Sequence, residues 1–259
     1  MEKTTIKKIL NKKNKTPIVC LTAYSAITAK IVDKYCDIIL VGDSLGMVLY
    51  GMKTTREVKI ETMILHAKAV KKFSKRSFVV FDMPYKTYTN KITAYKNAKK
   101  VIKLTKCDAV KLEGGKEIAN TIKHLVKKGI PVMGHVGLMP QTSSNFKVKG
   151  KNFLQEKKIF KDALEISNSG VFAIVIECVV EKLAKKITKT ISVPTIGIGA
   201  SKYCDGQILV TEDMLGLSET YPKFVKRYTN LSTLMEKNIK KYMHDVKMRK
   251  FPSAKNIYR

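Results

Sequence analysis

The chain has 259 residues, of which 44% are hydrophobic, so it is long and apolar enough to bury a large core and is not a mini-protein. It has no run of 18 apolar residues, no apolar signal-peptide core and no CxxC pair among its five cysteines, so we expect a cytoplasmic protein without a membrane span, disulfide framework or zinc site. The net charge of +29 admits a nucleic-acid-binding protein, but only five of the 50 basic residues are arginine, and the widely spread lysines favour a solvated surface without a specific nucleic-acid partner.

Eight short runs of β-branched and apolar residues predict strands that are buried on both faces. They lie at residues 18–22, 37–42, 78–83, 109–114, 131–137, 171–178, 194–199 and 206–211. Helix-like segments, with apolar residues three and four positions apart, lie between them at residues 56–73, 94–106, 115–129 and 155–170. The last two of these segments end on a glycine, which suits a helix C-cap.

Strands that alternate with helices over about 250 residues predict a (β/α)8 TIM barrel. An open doubly wound sheet is the alternative, although no GxGxxG follows the first strand and no GxxxxGK[ST] occurs. No linker or low-complexity segment interrupts the chain. We therefore expect residues 1–259 to form a single barrel domain, with a short N-terminal helix and a basic amphipathic C-terminal helix at 229–250 followed by a tail.

Polar residues end five consecutive predicted strands. They are Asp43 and Ser44 after the second strand, Asp82 in the third, Lys111 and Glu113 in the fourth, His135 in the fifth and Glu177 in the sixth. In a barrel, these carboxyl ends all face one mouth, where the active sites of such folds lie. The pattern therefore predicts a functional site.

Taken singly, each of these residues also has a structural interpretation. These are a helix N-cap for Asp43, a turn for Asp82, an ion pair for Lys111 with Glu113, a satisfied core histidine for His135 and a buried acid without a role for Glu177. The convergence of all of them on one mouth favours a site over these separate interpretations.

The residue types indicate the chemistry. Two aspartates, Asp43 and Asp82, without a nearby cysteine or second histidine suit a hard cation such as Mg²⁺ or Mn²⁺. Two protein ligands leave coordination positions open for a chelating substrate, whose enolate the cation would stabilise. Glu177, desolvated by its apolar strand, suits a general base, and Lys111 suits an anionic substrate group or a developing enolate.

Nine short motifs run along the chain from about residue 4 to residue 252. In order, they are "TAY", "VGDSLGMVLYG", "FDMPY", "VKLEGG", "GHVGLMPQ", "IVIECV", "IGIGA", "DGQILV" and "PKFVKRY". Each motif alone is weak, but together they closely resemble the ketopantoate hydroxymethyltransferase family. The resemblance implies a (β/α)8 barrel of the phosphoenolpyruvate/pyruvate type that forms homo-oligomers, commonly decamers. It also implies Mg²⁺-dependent transfer of a hydroxymethyl group from 5,10-methylenetetrahydrofolate to 3-methyl-2-oxobutanoate, giving 2-dehydropantoate in the first step of pantothenate biosynthesis.

The resemblance also implies residue roles. Matched by motif, these are metal binding for Asp43, Asp82 and, directly or through water, Glu113; substrate binding for Asp43, Ser44, Asp82, Lys111 and His135; and proton acceptance for Glu177. The chain departs from the family pattern at Ser25, Ser201, Glu212 and a shortened "TSSNF" loop at 142–146. A Mg²⁺-dependent 2-oxo-acid lyase or mutase on a similar barrel remains an alternative, because those enzymes also form enolates.

Overall fold

Eight parallel strands form a closed barrel in the computed structural model, which describes residues 2–143 and 146–258. The strands are β1 (Ile18–Thr22), β2 (Ile38–Val41), β3 (Phe78–Asp82), β4 (Ala109–Glu113), β5 (Val132–Gly137), β6 (Ala173–Glu177), β7 (Thr195–Ile198) and β8 (Gly206–Leu209). Each strand pairs with the next, and β8 pairs with β1. The predicted (β/α)8 barrel is confirmed, and the open-sheet alternative is wrong. Most of the predicted strands extend one or two residues beyond the observed ends, because the turn residues next to each strand do not join its hydrogen-bond ladder.

Ten helices accompany the strands in the described residues. They are α1 (Ile6–Asn11), α2 (Ala26–Val32), α3 (Leu45–Tyr50), α4 (Ile60–Phe73), α5 (Lys91–Thr105), α6 (Ala119–Lys127), α7 (Phe153–Asn168), α8 (Glu181–Thr190), α9 (Thr211–Met214) and α10 (Leu231–Lys247). The helix predicted from residue 56 begins later, because a capping box between Thr54 and Glu57 closes a separate 3₁₀ turn there. The two terminal glycines, Gly129 and Gly170, have φ of +77° and +90°, as the predicted left-handed caps require.

Two layers of apolar side chains hold the barrel together. Alternate residues of the strands, such as Ile38 and Leu40, pack inside the barrel, while Ile39 and Val41 face the surrounding helices. Ile9 of α1 is fully buried in the inner layer. Both faces of β2 to β7 are therefore buried, which explains their continuous apolar runs, whereas Val19 of β1 and Gln207 of β8 are exposed.

The chain divides between Val210 and Thr211 into two compact units. The first unit contains the whole barrel with α1–α8. The second contains α9 and α10, and α10 buries none of its residues. The expectation of a single domain stays a prediction. Within the described residues, every helix is too short or too polar to cross a bilayer.

Candidate active site

The strand period of two places the charged residues of the mouth inside the barrel. In β3, Phe78 and Val80 belong to the inner apolar layer, and Asp82 is the next residue on that face. In β4, Lys111 and Glu113 follow the inner residue Ala109 in the same way. The same alternation continues through His135 of β5 and Glu177 of β6. The inner face is thus apolar at the amino ends of the strands and charged at the carboxyl ends.

Strand register brings an acid and a base together across β3 and β4. Asp82 is paired with Lys111, and the Lys111 ammonium lies 2.7 and 2.8 Å from the two Asp82 carboxylate oxygens. The same ammonium lies 3.7 Å from Glu113 Oε1. The ion pair expected between Lys111 and Glu113 is therefore secondary to one with Asp82, which faces Lys111 directly.

The turn after β2 places Asp43 beside this pair. Its backbone N–H lies 3.4 Å from Asp82 Oδ2, and its own carboxylate accepts a hydrogen bond of 2.8 Å from Gln141 Nε2. The N-cap of α3 is Ser44 rather than Asp43, so the capping interpretation of Asp43 is wrong. Ser44 makes no side-chain cap bond, and its hydroxyl instead lies 2.7 Å from the Tyr24 hydroxyl.

His135 lies between two acids. Its Nδ1 is 3.6 Å from Glu113 Oε1, and its Nε2 is 3.5 Å from Glu177 Oε2. The ring is 1% exposed, and neither nitrogen makes a hydrogen bond of standard geometry within the described residues. His135 is therefore not the satisfied core histidine that its sequence context allowed.

Burial and mutual repulsion raise the pKa values of the acids in the mouth. Burial, with Lys111 opposing it, raises the pKa of Glu113 to about 8. Burial also raises the pKa of Glu177 to about 8, again against the effect of Lys111. The pKa of Asp43 rises well above its usual value because of burial and the neighbouring charges of Asp82 and Glu113.

The bases of the mouth shift in opposite directions. Burial alone would lower the pKa of Lys111, but Asp82 and Glu113 raise it above its usual value, so Lys111 stays charged. Burial and the Lys111 charge lower the pKa of His135 well below its usual value, so His135 stays neutral. These residues of the mouth therefore comprise four carboxyl groups and one charged ammonium, so acidic groups are in excess.

This imbalance suits a bound cation. Carboxylate oxygens are hard donors, and Mg²⁺ is commonly held by one or two carboxylates with water and substrate completing its shell. Within the described ranges, no three His, Cys, Asp or Glu side chains are grouped to enclose a metal ion. The adjacent Asp43 and Asp82 fit a two-ligand site, whereas Glu113 already accepts a hydrogen bond from the Gln141 N–H at 3.1 Å.

Sequence reasoning missed two residues of the mouth. Gln141 contacts the side chains of both Asp43 and Glu113, and the Tyr88 hydroxyl lies 2.5 Å from Gln141 Oε1. The available signal was position, because Gln141 closes the motif "GHVGLMPQ" and Tyr88 closely follows "FDMPY". Nothing local indicated that their side chains turn into the mouth.

A cavity of about 310 Å³ lies beside β5, near Gly137, which pairs with Glu177. Its lining includes Thr142, Lys149, Lys158 and Asp162, among apolar side chains. The pocket is thus mainly apolar, and of its two lysines Lys158 is paired with Asp162 at 2.7 Å.

Two of the departures from the family pattern have local hydrogen-bonding roles. Ser25 is the N-cap of α2, where its hydroxyl accepts a hydrogen bond of 3.2 Å from the Thr28 N–H, a role that an aspartate also performs. The Ser201 hydroxyl accepts a bond of 3.1 Å from the Tyr203 N–H. Glu212 lies in α9, and residues 144–145 of the shortened loop lie outside the described residues.

Comparisons with known proteins agree with this fold. The chain is similar to the crystal structure of phosphonopyruvate hydrolase in complex with oxalate and Mg²⁺, at 10% identity and a TM-score of 0.63, covering 99% of this chain and 93% of that one. It is also similar to 2,3-dimethylmalate lyase, a member of the PEP mutase/isocitrate lyase superfamily, at 12% identity and a TM-score of 0.62, covering 98% and 88%. At such low identity these likenesses establish the barrel type, which was predicted, and nothing about the reaction.

Sequence relatives are much closer. The chain is 52% identical over 255 residues to the 3-methyl-2-oxobutanoate hydroxymethyltransferase of Pelagibacter ubique (strain HTCC1062), covering 97% of this chain and 99% of that protein. It is also 52% identical to the enzyme of the same name from Bartonella henselae, covering 100% of this chain and 96% of that protein. A sequence model of ketopantoate hydroxymethyltransferase matches residues 3–254. The chain therefore belongs to the ketopantoate hydroxymethyltransferase family.

Proposed function

We propose that this enzyme condenses 3-methyl-2-oxobutanoate with the one-carbon unit of 5,10-methylenetetrahydrofolate and water, giving 2-dehydropantoate and tetrahydrofolate. This reaction is the first step of pantothenate biosynthesis, and we place it in the cytoplasm. Close relatives over nearly the whole chain carry the name of this activity. The observation that supports it within the molecule is a carboxyl group with a raised pKa, Glu177, facing a mouth that is rich in carboxylates.

Glu177 is the general base of the reaction. Its side chain is 16% exposed, so a substrate in the mouth can reach it. A base with a pKa of about 8 holds a proton more strongly than an ordinary carboxylate and still ionises near neutral pH. It takes the proton from C3 of the oxo acid, and C3 then attacks the one-carbon unit. His135 beside it is a weaker base, because burial and the Lys111 charge lower its pKa.

Three residues position the oxo acid. Asp43 and Asp82 would hold Mg²⁺, which would supply Lewis-acid polarisation of a 2-oxo acid's keto group and so make its C3–H more acidic. Lys111, fixed by Asp82, presents a buried positive charge toward the substrate carboxylate. Glu113 and Ser44 complete the polar lining on either side.

The folate co-substrate approaches through the cavity beside β5. This cavity lies next to Gly137 and so opens near the strand that ends in Glu177. Its Lys149 suits the carboxylate-bearing tail of a folate, whereas Lys158 is already paired with Asp162.

One assay tests the function directly. The purified chain should form 2-dehydropantoate from 3-methyl-2-oxobutanoate and 5,10-methylenetetrahydrofolate, and removing Mg²⁺ with a chelator should abolish product formation. Product formation that ignores the chelator would contradict the metal site. No product in any condition, with cleavage of a 2-oxo-acid substrate instead, would favour the lyase alternative.

The chain forms a homo-oligomer, most simply the decamer of its family. Apolar side chains of α10 recur three and four positions apart and are exposed, with Met235 at 49%, Ile239 at 61% and Tyr242 at 58%. A second copy of the chain is the occupant that the family suggests. Because each chain carries a charge of +29, salt should strengthen the association. Light scattering that gives a monomer at both low and high salt would contradict this.

A further inference from the structure

Gln141, in the segment after β5, is polar and yet 0% exposed. A buried amide is costly unless its donors and acceptor all find partners. The partners of Gln141 come from three other parts of the mouth, so its side chain links these parts and does not only fill the core.

The side-chain amide is fully engaged. Its Nε2 donates to Asp43 Oδ2 at 2.8 Å and to the Met83 carbonyl at 3.0 Å. Its Oε1 accepts from the Tyr88 hydroxyl at 2.5 Å. The opposite orientation would place Oε1 against two acceptors, so only one orientation of the amide satisfies all three partners.

The backbone of Gln141 is engaged as well. Its N–H donates to Glu113 Oε2 at 3.1 Å, and its carbonyl accepts from Arg56 Nε at 2.9 Å. One residue therefore contacts a carboxylate after β2 and another at the end of β4, while Arg56 and Tyr88 hold that residue in place.

We infer that Gln141 is a positioning residue, which orients Asp43 to receive the divalent cation of the proposed function. The inference rests on that proposed metal site. A carboxylate that offers one oxygen to a cation is oriented by the hydrogen bond that its other oxygen accepts. Asp43 Oδ2 accepts this bond from Gln141 Nε2, which leaves Oδ1 for the cation, and the Gln141 backbone N–H fixes Glu113 beside the site.

The test is Mg²⁺ binding by the whole chain, measured by titration calorimetry without substrate. Gln141→Met keeps the size of the side chain and removes both amide donors. We expect its Mg²⁺ dissociation constant to rise about 10- to 100-fold, the usual range for a residue that orients a metal ligand. Circular dichroism checks that the variant is folded. Tyr88→Phe, which removes only the hydroxyl bound to Gln141 Oε1, should raise the constant by a smaller factor.

Gln155→Leu is the matched control, since Gln155 is exposed and accepts a bond from the Gly150 N–H. It should bind Mg²⁺ like the unmodified chain. A folded Gln141→Met variant with an unchanged dissociation constant would overturn the inference and leave the metal site standing. If that variant does not fold, an unchanged constant in Tyr88→Phe would overturn it. Absence of Mg²⁺ binding by the unmodified chain would overturn the metal site, and this inference with it.

Discussion

Buried or partly buried acids lie at both ends of the barrel. Those at the amino ends of the strands are each paired with lysine, whereas those at the mouth outnumber the one lysine among them. At the amino ends of the strands, Asp37, Asp108 and Asp205 each directly precede a strand and accept a hydrogen bond from a backbone N–H of the neighbouring strand. Each also pairs with lysine, Asp37 with Lys12 at 2.7 Å and Asp205 with Lys13 at 2.8 Å. At the mouth, four acids share Lys111.

The pKa values record this difference. At the amino end, burial alone would raise the pKa of Asp108, but bonds from Lys3, Lys71 and the Val79 N–H lower it below its usual value. At the mouth, burial raises the pKa of Glu177 to about 8. The acids at the amino ends are matched by lysines, whereas the unmatched acids of the mouth suit the cation of the proposed function. The comparison predicts that acids at the two ends respond differently to the same substitutions.

The largest effect is expected from the two aspartates of the proposed metal site. Asp43→Ala and Asp82→Ala should each reduce hydroxymethyl transfer by at least about 10³-fold, because a metal ion supplies several kcal/mol of transition-state stabilisation. Both variants should keep the circular dichroism spectrum of the unmodified chain. Near-normal rates for either variant at limiting Mg²⁺ would show that the acid does not hold the cation.

Glu177→Gln should be the next most damaging change. It keeps the size of the side chain but cannot accept the proton, so exchange of the C3 hydrogen of the oxo acid with deuterated water should slow about 10²- to 10⁴-fold. NMR follows this exchange without folate, which isolates proton abstraction from transfer, and calorimetry should show that the oxo acid and Mg²⁺ still bind. Exchange at the normal rate would mean that another group takes the proton, with His135 the next candidate.

Asp205→Ala tests the opposite end of the barrel. The Asp205 side chain is 3% exposed and bonds to Lys13, Asn14 and Thr195, so its removal should cost about 3–5 kcal/mol of unfolding free energy. Urea unfolding measures this loss, and turnover of the folded fraction should stay within about twofold of normal. A variant that kept its stability but lost turnover would remove the distinction between the two ends.

The smallest effect is a difference in the pH dependence of stability. Glu177 has a higher pKa folded than unfolded, so it destabilises the fold as pH rises from about 4.5 toward 8, by at most about 1.4 kcal/mol per pH unit. Asp108 has a lowered folded pKa, so its contribution is present above its unfolded pKa and is lost as pH falls through the folded value. Without divalent cations, urea unfolding should detect both slopes.

Two variants assign these slopes to their ends of the barrel. Glu177→Gln should reduce the decline between pH 5 and 8 and leave the acid side unchanged, with the remaining decline due to Glu113 and Asp43. Asp108→Asn should reduce the slope on the acid side alone. Added Mg²⁺ should also reduce the decline above pH 5, because a nearby cation favours the ionised carboxylate. An unchanged decline in Glu177→Gln would show that Glu177 does not contribute to it.

The architecture was predictable because its signal is local. Strands buried on both faces must be apolar at consecutive positions, and the period of two decides which residues share a face, so Lys111 and Glu113 were correctly placed together. The same reasoning placed Asp82, His135 and Glu177 at one mouth. The acids of the opposite end also follow a pattern in the sequence, because Asp37, Asp108 and Asp205 each follow a cysteine. That pattern does not show that the three acids lie at one end until the strands close into a barrel.

Sequence by itself thus determined the barrel, the family and the set of polar residues at the mouth, because these follow from short-range periodicity and from motifs. Tertiary structure alone decided which of those residues touch. Lys111 bonds to Asp82, which lies 29 residues away, rather than to Glu113 on its own strand, because register sets Asp82 opposite Lys111. Gln141 reaches Asp43 across 98 residues, and His135 is left between two acids. Such contacts depend on how neighbouring strands are aligned around the closed barrel, and no local pattern of residues encodes that alignment.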